Sequence, residues 1–163
     1  MAMSQAVNDE VREEFDRLFR EHGDRLWRSL LLSTGSPWVA SDAVAEAFAQ
    51  AIRRRGQLRD PLAWIWRAAF RIAAGDLQEQ GRTTEMPPEF VYEYEDRESV
   101  ADLMHALDVL TPHQRAALAL HHYAGYSYRE VAAILGSSVA AVGVHIHRAK
   151  KSLRATLEDN DDD

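Results

Sequence analysis

Imidazole and cationic side chains recur at helical spacing near the carboxyl end of the chain. The apolar positions there step by three and four, which predicts an amphipathic helix that buries one side through Val139, Val142, Ile146, Ala149 and Leu153. The other side carries Ala141, His145, Arg148 and Lys151. Because cations on the outer face of a helix can bind phosphates while the helix lies in a major groove, the pattern indicates DNA binding.

The seven histidines do not have the spacing of a metal site. His121 and His122 are adjacent, and His145 and His147 are two apart, so neither pair shares a helix face as ligands four residues apart would. The chain has no cysteine, and it lacks a phosphate-cradling glycine loop, a nucleophile elbow and an HExxH motif. We therefore expect no metal, no cofactor and no enzymatic activity.

Two short helices joined at a glycine must position the cationic face. Ser127 and Glu130 have the spacing of a capping box at the start of the first helix, and Thr111 and Gln114, with Pro112 between them, have it at the start of the helix before. Gly136 can adopt a left-handed conformation at its end, and Ser137 or Ser138 can cap the second helix. The spacing predicts a helix-turn-helix, with an ordinary helical hairpin of a small α domain as the alternative.

This segment resembles region 4 of the sigma-70 family of transcription initiation factors, in the extracytoplasmic-function group. The matching stretches are LTPHQRAALALHHYAG and YSYREVAAILGSSVAAVGVHIHRAKKSLRATL. The resemblance implies that the second helix binds the promoter −35 element. The residues that it would place at DNA are Tyr128, Arg129, Ser137, Ser138, Ala141, His145, Arg148, Lys150 and Lys151.

The amino-terminal half predicts three helices, from about Asp9 to Ser33, from Ser36-Pro37, and from Asp60-Pro61. Within the second, SDAVAEAFAQAIRRR resembles region 2.2 of the same family, which docks on the β′ clamp helices of RNA polymerase. The resemblance implies that core polymerase is bound by Asp42, Glu46, Gln50, Arg53 and Arg54. By residue type alone, this acidic stripe is typical of a solvated face.

The third helix, in RDPLAWIWRAAFRIAAGDLQEQ, resembles regions 2.3 to 2.4, which open and read the promoter −10 element. The residues that would stack on bases or hold the backbone there are Trp64, Arg67, Phe70, Arg71 and Arg82. Trp66 is expected in the core. The chain departs from the family where it has Gln, Glu and Gln at 78–80 in place of arginines, and Gly, Val and His at 143–145 in place of Lys, Ser and Arg.

Acidic and basic side chains are unevenly distributed along the chain. The net charge is −7, but residues 78–98 hold seven acidic and two basic side chains, whereas residues 99–155 hold three and six. We expect an all-α protein of two small helical domains, sigma region 2 (9–77) and the helix-turn-helix region 4 (99–156). An acidic linker (78–98) joins them, and an acidic tail (157–163) follows.

The resemblance implies an initiation factor whose partners are core RNA polymerase, through its β′ clamp helices and β flap, and promoter DNA. An anti-sigma factor is a further partner that the resemblance allows. One alternative is a sigma-like interaction protein without autonomous promoter recognition. Another is a response-regulator-type output domain, which leaves the DAVAEAF segment unexplained. No segment has the length of a membrane span, and we expect a soluble cytoplasmic protein without membrane insertion.

Overall fold

The computed structural model describes residues 1–80 and 97–162, and for residues 80 and 97–100 the backbone alone. These residues form seven α-helices and no β-strand, which confirms the all-α prediction. The helices are α1 (Ala2–Thr34), α2 (Pro37–Arg53), α3 (Pro61–Gln80), α4 (Arg97–Leu107), α5 (Pro112–Leu118), α6 (Tyr128–Leu135) and α7 (Val139–Asp161). A short 3₁₀ turn, Arg55–Gln57, follows α2, and a π-helical turn, Ala119–Tyr123, follows α5.

The helix starts that the sequence predicts are confirmed by their caps. Side-chain oxygens of Ser36, Asp60 and Thr111 each accept a hydrogen bond from the backbone N–H three residues on, at 3.2–3.3 Å. A proline follows each of these residues and occupies the first helical position, where its missing N–H costs nothing. Gly35 ends α1 in the left-handed conformation, with φ 71°.

Two helix boundaries and the buried side of one helix differ from the prediction. Helix α1 begins at Ala2, about two turns before Asp9, because its exposed first residues extend the same helix without a breaker. Helix α3 continues to Gln80, past the expected linker start, and most of the predicted linker, 81–96, lies outside the described residues. The apolar spacing of α2 predicts that Ile52 is buried together with Val44 and Phe48, which is wrong for Ile52, because the buried stripe continues through Ala51 and leaves Ile52 exposed.

One hydrophobic cluster runs through both halves of the chain. It joins Leu30 and Ile65 of the first three helices with Leu120, Val131 and Ile146 of the later ones. The sequence predicts a core in each half, but it does not predict that the two cores meet. Burial of shared apolar surface is the main stabilising term available to such an interface.

A buried arginine crosses the contact between the halves. Arg115 of α5 is 0% exposed, and its Nη1 donates a hydrogen bond to Oδ1 of Asp108 at 2.9 Å. Its Nε donates to the backbone carbonyl oxygen of Leu32, near the end of α1. A Cβ at Gly35 would lie 3.0–3.3 Å from this guanidinium group, so the glycine gives both the left-handed turn and the space.

An aromatic and cationic cluster lies at the same contact. The Trp66 ring of α3 meets the ring of Tyr126, which precedes α6, edge-on with centroids 5.0 Å apart. The Arg25 guanidinium lies over both rings, at 5.7 and 5.3 Å from their centroids. Burial raises the pKa of the Tyr126 phenol above its usual value, and Arg25 opposes that shift.

Candidate nucleic-acid interface

Helices α6 and α7 form the helix-turn-helix that the sequence predicts. They are bent by 102° at a turn of three residues, within the range typical of this motif. The Ser127 hydroxyl oxygen accepts from the Glu130 N–H, and the Glu130 carboxylate accepts from the Ser127 N–H, which confirms the capping box. Gly136 has φ 63°, and the Ser138 side chain caps α7 by accepting from the Ala141 N–H.

The nine residues predicted to contact the −35 element divide by exposure. Six are exposed, namely Arg129, Ser137, Ser138, Arg148, Lys150 and Lys151. The other three, Tyr128, Ala141 and His145, are half-buried. The exposed six lie on α6, on the turn and on the second half of α7, where DNA contact stays a prediction.

Two of the half-buried side chains pack inside the domain. The Tyr128 ring meets the His121 ring edge-on at 4.7 Å and lies beside Gly143. His145 stacks on His113, with ring centroids 5.5 Å apart. Both side chains hold α7 against the preceding helices.

The residues on the exposed side of α7 differ from those that the sequence predicts. Val139 was predicted to be buried, which is wrong, since it is 48% exposed. The buried stripe consists of Val142, Ile146 and Ala149. Residues on the side opposite that stripe are Ala140, Val144, His147 and Lys151, all exposed. Spacing alone could not show this, because 139, 142, 146 and 149 all step by three or four and Val139 is exposed as the first residue of the helix.

Two glycines inside helices can accept a side chain. A Cβ would meet nothing within 4 Å at Gly75 and only the Tyr128 ring, at 3.6 Å, at Gly143. We expect Gly75→Ala and Gly143→Ala each to raise the free energy of unfolding by about 0.5–1 kcal/mol, measured by urea denaturation. Gly23→Ala is the control with a smaller gain, because its Cβ would crowd the Phe19 ring at 3.2 Å. Destabilisation by Gly143→Ala would contradict the packing described for α7.

Two histidines of this domain have lowered pKa values. Burial, followed by the charges of His113 and Arg148, lowers the pKa of His145 from its usual 6.5. Burial, Lys150 and His121 lower the pKa of His122 in the same way. The unfolded chain therefore binds protons more readily than the folded chain as the pH falls through 6.5.

We expect the melting temperature to fall between pH 7.5 and 5.5, because protonation of these two groups favours unfolding. His122→Asn together with His145→Asn is expected to make that fall shallower in thermal melts. His147→Asn, on the outward side of α7, is the control and should leave the pH dependence as in the wild type. An unchanged slope in the double variant would refute the assignment.

The residues predicted to engage the −10 element lie on α3 with unequal access. Arg67 and Arg71 are exposed one turn apart, and Trp64 is half-buried. Phe70 is 5% exposed and stacks on Trp66 at 6.3 Å, so the ring face that would stack on a base is covered here. Arg82 lies outside the described residues.

The residues predicted to bind polymerase form a polar stripe on α2. Asp42 is exposed, and Oε1 of Glu46 accepts hydrogen bonds from Gln50 at 2.8 Å and from Arg53 at 3.3 Å. Arg54 lies over the Trp64 ring at 5.7 Å, so the predicted polymerase and −10 surfaces adjoin. The exposed ion pair contributes little to stability, which leaves these side chains available for binding.

A groove of about 550 Å³ lies between the two halves. Its apolar wall includes Phe70, Leu77, Ile134 and Leu135, and its cationic groups are Arg67 and Arg71. Within 1–80 and 97–162, no three histidine or carboxylate side chains come together as a metal site. No single helix there is long and apolar enough to cross a membrane; α6 and α7 pass that test only as a pair, bent at their turn.

A family model described as sigma-70, region 4, matches residues 101–153. Among curated proteins, the extracytoplasmic-function sigma factor SigM of Mycobacterium tuberculosis is 31% identical, over 90% of this chain and 78% of its own length. SigL of the same species is 29% identical over 87% of this chain and 88% of its own. SigE of Mycolicibacterium smegmatis is 30% identical over 96% of this chain, which spans 66% of that relative.

Solved structures show the same fold at lower identity. The sigma factor RpoE, in complex with the anti-sigma factor NepR from Bartonella quintana, has a TM-score of 0.76 and 18% identity, covering 90% of this chain and 98% of that one. CnrH, in complex with the cytosolic domain of CnrY, has a TM-score of 0.69 and 23% identity, covering 94% and 96%.

Proposed function

This chain belongs to the extracytoplasmic-function sigma factors of RNA polymerase, and from that premise we propose how its own residues bind polymerase and promoter. It acts as a transcription initiation factor that directs core polymerase to specific promoters, while polymerase performs the chemistry. The observation that carries this proposal is the capped helix-turn-helix of α6 and α7, whose cations lie on the exposed side. Its place of action is the cytoplasm.

We assign a separate role to each of the successive parts of the chain, which also differ in net charge. Residues 9–77 bind polymerase and the −10 region, 78–98 link the domains, 99–156 bind the −35 region, and 157–163 form an acidic tail. The polar stripe of α2, through Asp42, Glu46, Gln50, Arg53 and Arg54, contacts the β′ clamp helices, and region 4 contacts the β flap.

Arg67 and Arg71 bind the promoter −10 element, because both are exposed on one side of α3. Trp64 lies beside them, under Arg54. Phe70 is 5% exposed and lines the groove together with Ile134 and Leu135 of the second half, so a base can reach its ring only if the groove between the halves widens. We therefore propose that the halves separate when polymerase and promoter are bound.

An anti-sigma factor is a further proposed partner, because the solved Bartonella quintana sigma factor is complexed with one. The groove between the halves supports this proposal, since its apolar wall and cationic groups suit an acidic amphipathic helix. Ala74→Trp, which fills the groove, should raise expression from the target promoter in the host. Unchanged expression would argue against an inhibitor at this place.

A sigma-like interaction protein without promoter recognition of its own is the second candidate. It is favoured by the covered Phe70 ring and by the neutral and acidic residues at 78–80, where the family has arginines. Phosphate contacts add to affinity one by one, so their loss weakens DNA binding steeply. The two candidates share core binding and differ in whether transcripts start.

The proposed polymerase surface is tested by core binding with charge variants. The full chain should bind core RNA polymerase of the host in fluorescence anisotropy. Asp42→Lys with Glu46→Lys should weaken binding at least tenfold, because both reverse charge on the exposed stripe. Glu10→Lys with Glu13→Lys changes the net charge equally on an exposed part of α1 and should bind as the wild type. Equal weakening by both pairs would refute the assigned surface, and failure of the wild type to bind would refute the function.

A further inference from the structure

The outward side of α7 is apolar over its first two turns. Val144 is 47% exposed on the side opposite the buried stripe, with Ala140 one turn before it, and Val139, the first residue of the helix, is 48% exposed beside them. A single exposed apolar side chain is common on a protein surface, so these residues are informative because they lie together at the start of one helix. In a helix-turn-helix, these are the positions that reach base edges.

The residue types there restrict which bases can be read. Guanine is read by Arg or Lys and adenine by Asn or Gln, whereas apolar side chains contact the 5-methyl group of thymine. Residues 137–146 include none of Arg, Lys, Asn or Gln. Their one imidazole, His145, is stacked on His113. Methyl groups and the two serine hydroxyls of the turn remain as the surface that the start of α7 can offer to bases, and His147 follows on the same side.

The cations of α7 follow this apolar part instead of lying within it. Arg148, Lys150 and Lys151 are exposed, and Lys151 shares the outward side with Val144. Seven residues of helix separate Val144 from Lys151, about 10 Å along the axis. With Val144 at the floor of a major groove about 12 Å wide, Lys151 can reach the phosphates at its edge. Phosphate contacts then supply affinity, and the methyl-bearing side chains supply sequence information.

We propose that α7 reads its promoter element through thymine methyl groups, with Val144 as the main specificity-determining residue and Val139 and Ala140 beside it. The proposal rests on the proposed function, since it requires α7 to lie in the major groove. It names the base chemistry that the site selects, thymine over guanine, and explains how a recognition helix without a guanine-reading arginine discriminates.

The test uses the full chain bound to core polymerase and duplex promoters randomised over the −35 region. Selected duplexes are expected to share thymines, which are then replaced singly by deoxyuridine. That replacement removes only the methyl group and leaves base pairing unchanged. Binding should weaken about fourfold at a contacted thymine, the value of one buried methyl group.

Two variants separate base reading from phosphate binding. Val144→Ala should bind thymine and deoxyuridine duplexes with nearly equal affinity, whereas Lys151→Ala should weaken both and keep their ratio. Specific binding by the wild type without a deoxyuridine effect would overturn methyl readout and leave the sigma function intact. If no sequence is selected and no promoter is bound, both the inference and the proposed function fail.

Discussion

Arg115→Ala is expected to lower the free energy of unfolding by about 3–5 kcal/mol. We expect a smaller loss from removing any other arginine or lysine side chain in the described residues. The loss arises because a large buried side chain is removed and the Leu32 carbonyl oxygen loses its donor inside the protein, whereas the Asp108 carboxylate, 34% exposed, can still be hydrated. Here the change removes the bond to Asp108 and the bond to the Leu32 carbonyl, and leaves a cavity beside Gly35. Urea denaturation followed by circular dichroism measures the loss.

The matched control is Arg129→Ala, which removes an exposed arginine and should change stability by less than about 0.5 kcal/mol. Because the shared cluster spans both halves, the wild type should unfold in one transition with coincident probes. Arg115→Ala should also separate that transition into two. A variant as stable as the control would show that Arg115 does not hold the halves together.

Trp66→Ala is expected to cost about 3–5 kcal/mol, since the ring is fully enclosed among Phe70, Tyr126 and Arg25. Trp66→Phe should cost less than half as much. Its Nε1 is buried without a hydrogen-bond partner in the described part of the chain, so phenylalanine removes an unsatisfied donor while keeping most of the apolar contact.

Trp38→Ala is the control, because that ring is exposed at the start of α2 and should contribute little. Chemical denaturation of the three variants gives the comparison. Equal losses for the alanine and phenylalanine variants at 66 would mean that the indole N–H has a stabilising role that the geometry does not provide.

Local signals in the sequence predict most of the secondary structure. Ser127 with Glu130, and Thr111 with Gln114, satisfy the first amides of a helix within four residues, so no tertiary information is needed to place them. Gly136 likewise marks a turn by its own backbone freedom. The helix-turn-helix could therefore be predicted from about fifteen residues.

The contact between the halves could not be predicted in that way. Arg115 and Leu32 are 83 residues apart, and an arginine in an amphipathic helix is ordinarily expected at the surface. Phe70 fits a base-stacking role by type and position, but it is buried, with Trp66 of its own helix stacked on it and residues of the second half lining the same groove. The prediction that Val139 is buried failed because this residue lies at the start of α7, before the first turn that packs against the core.

Run-off transcription tests the central claim most directly. Purified core RNA polymerase of the host is combined with genomic fragments, with and without this chain, and the transcripts are mapped. Specific transcripts that appear only with the chain, from starts sharing −10 and −35 elements, are the predicted result. Core binding without any specific transcript would contradict a working initiation factor and favour the interaction protein.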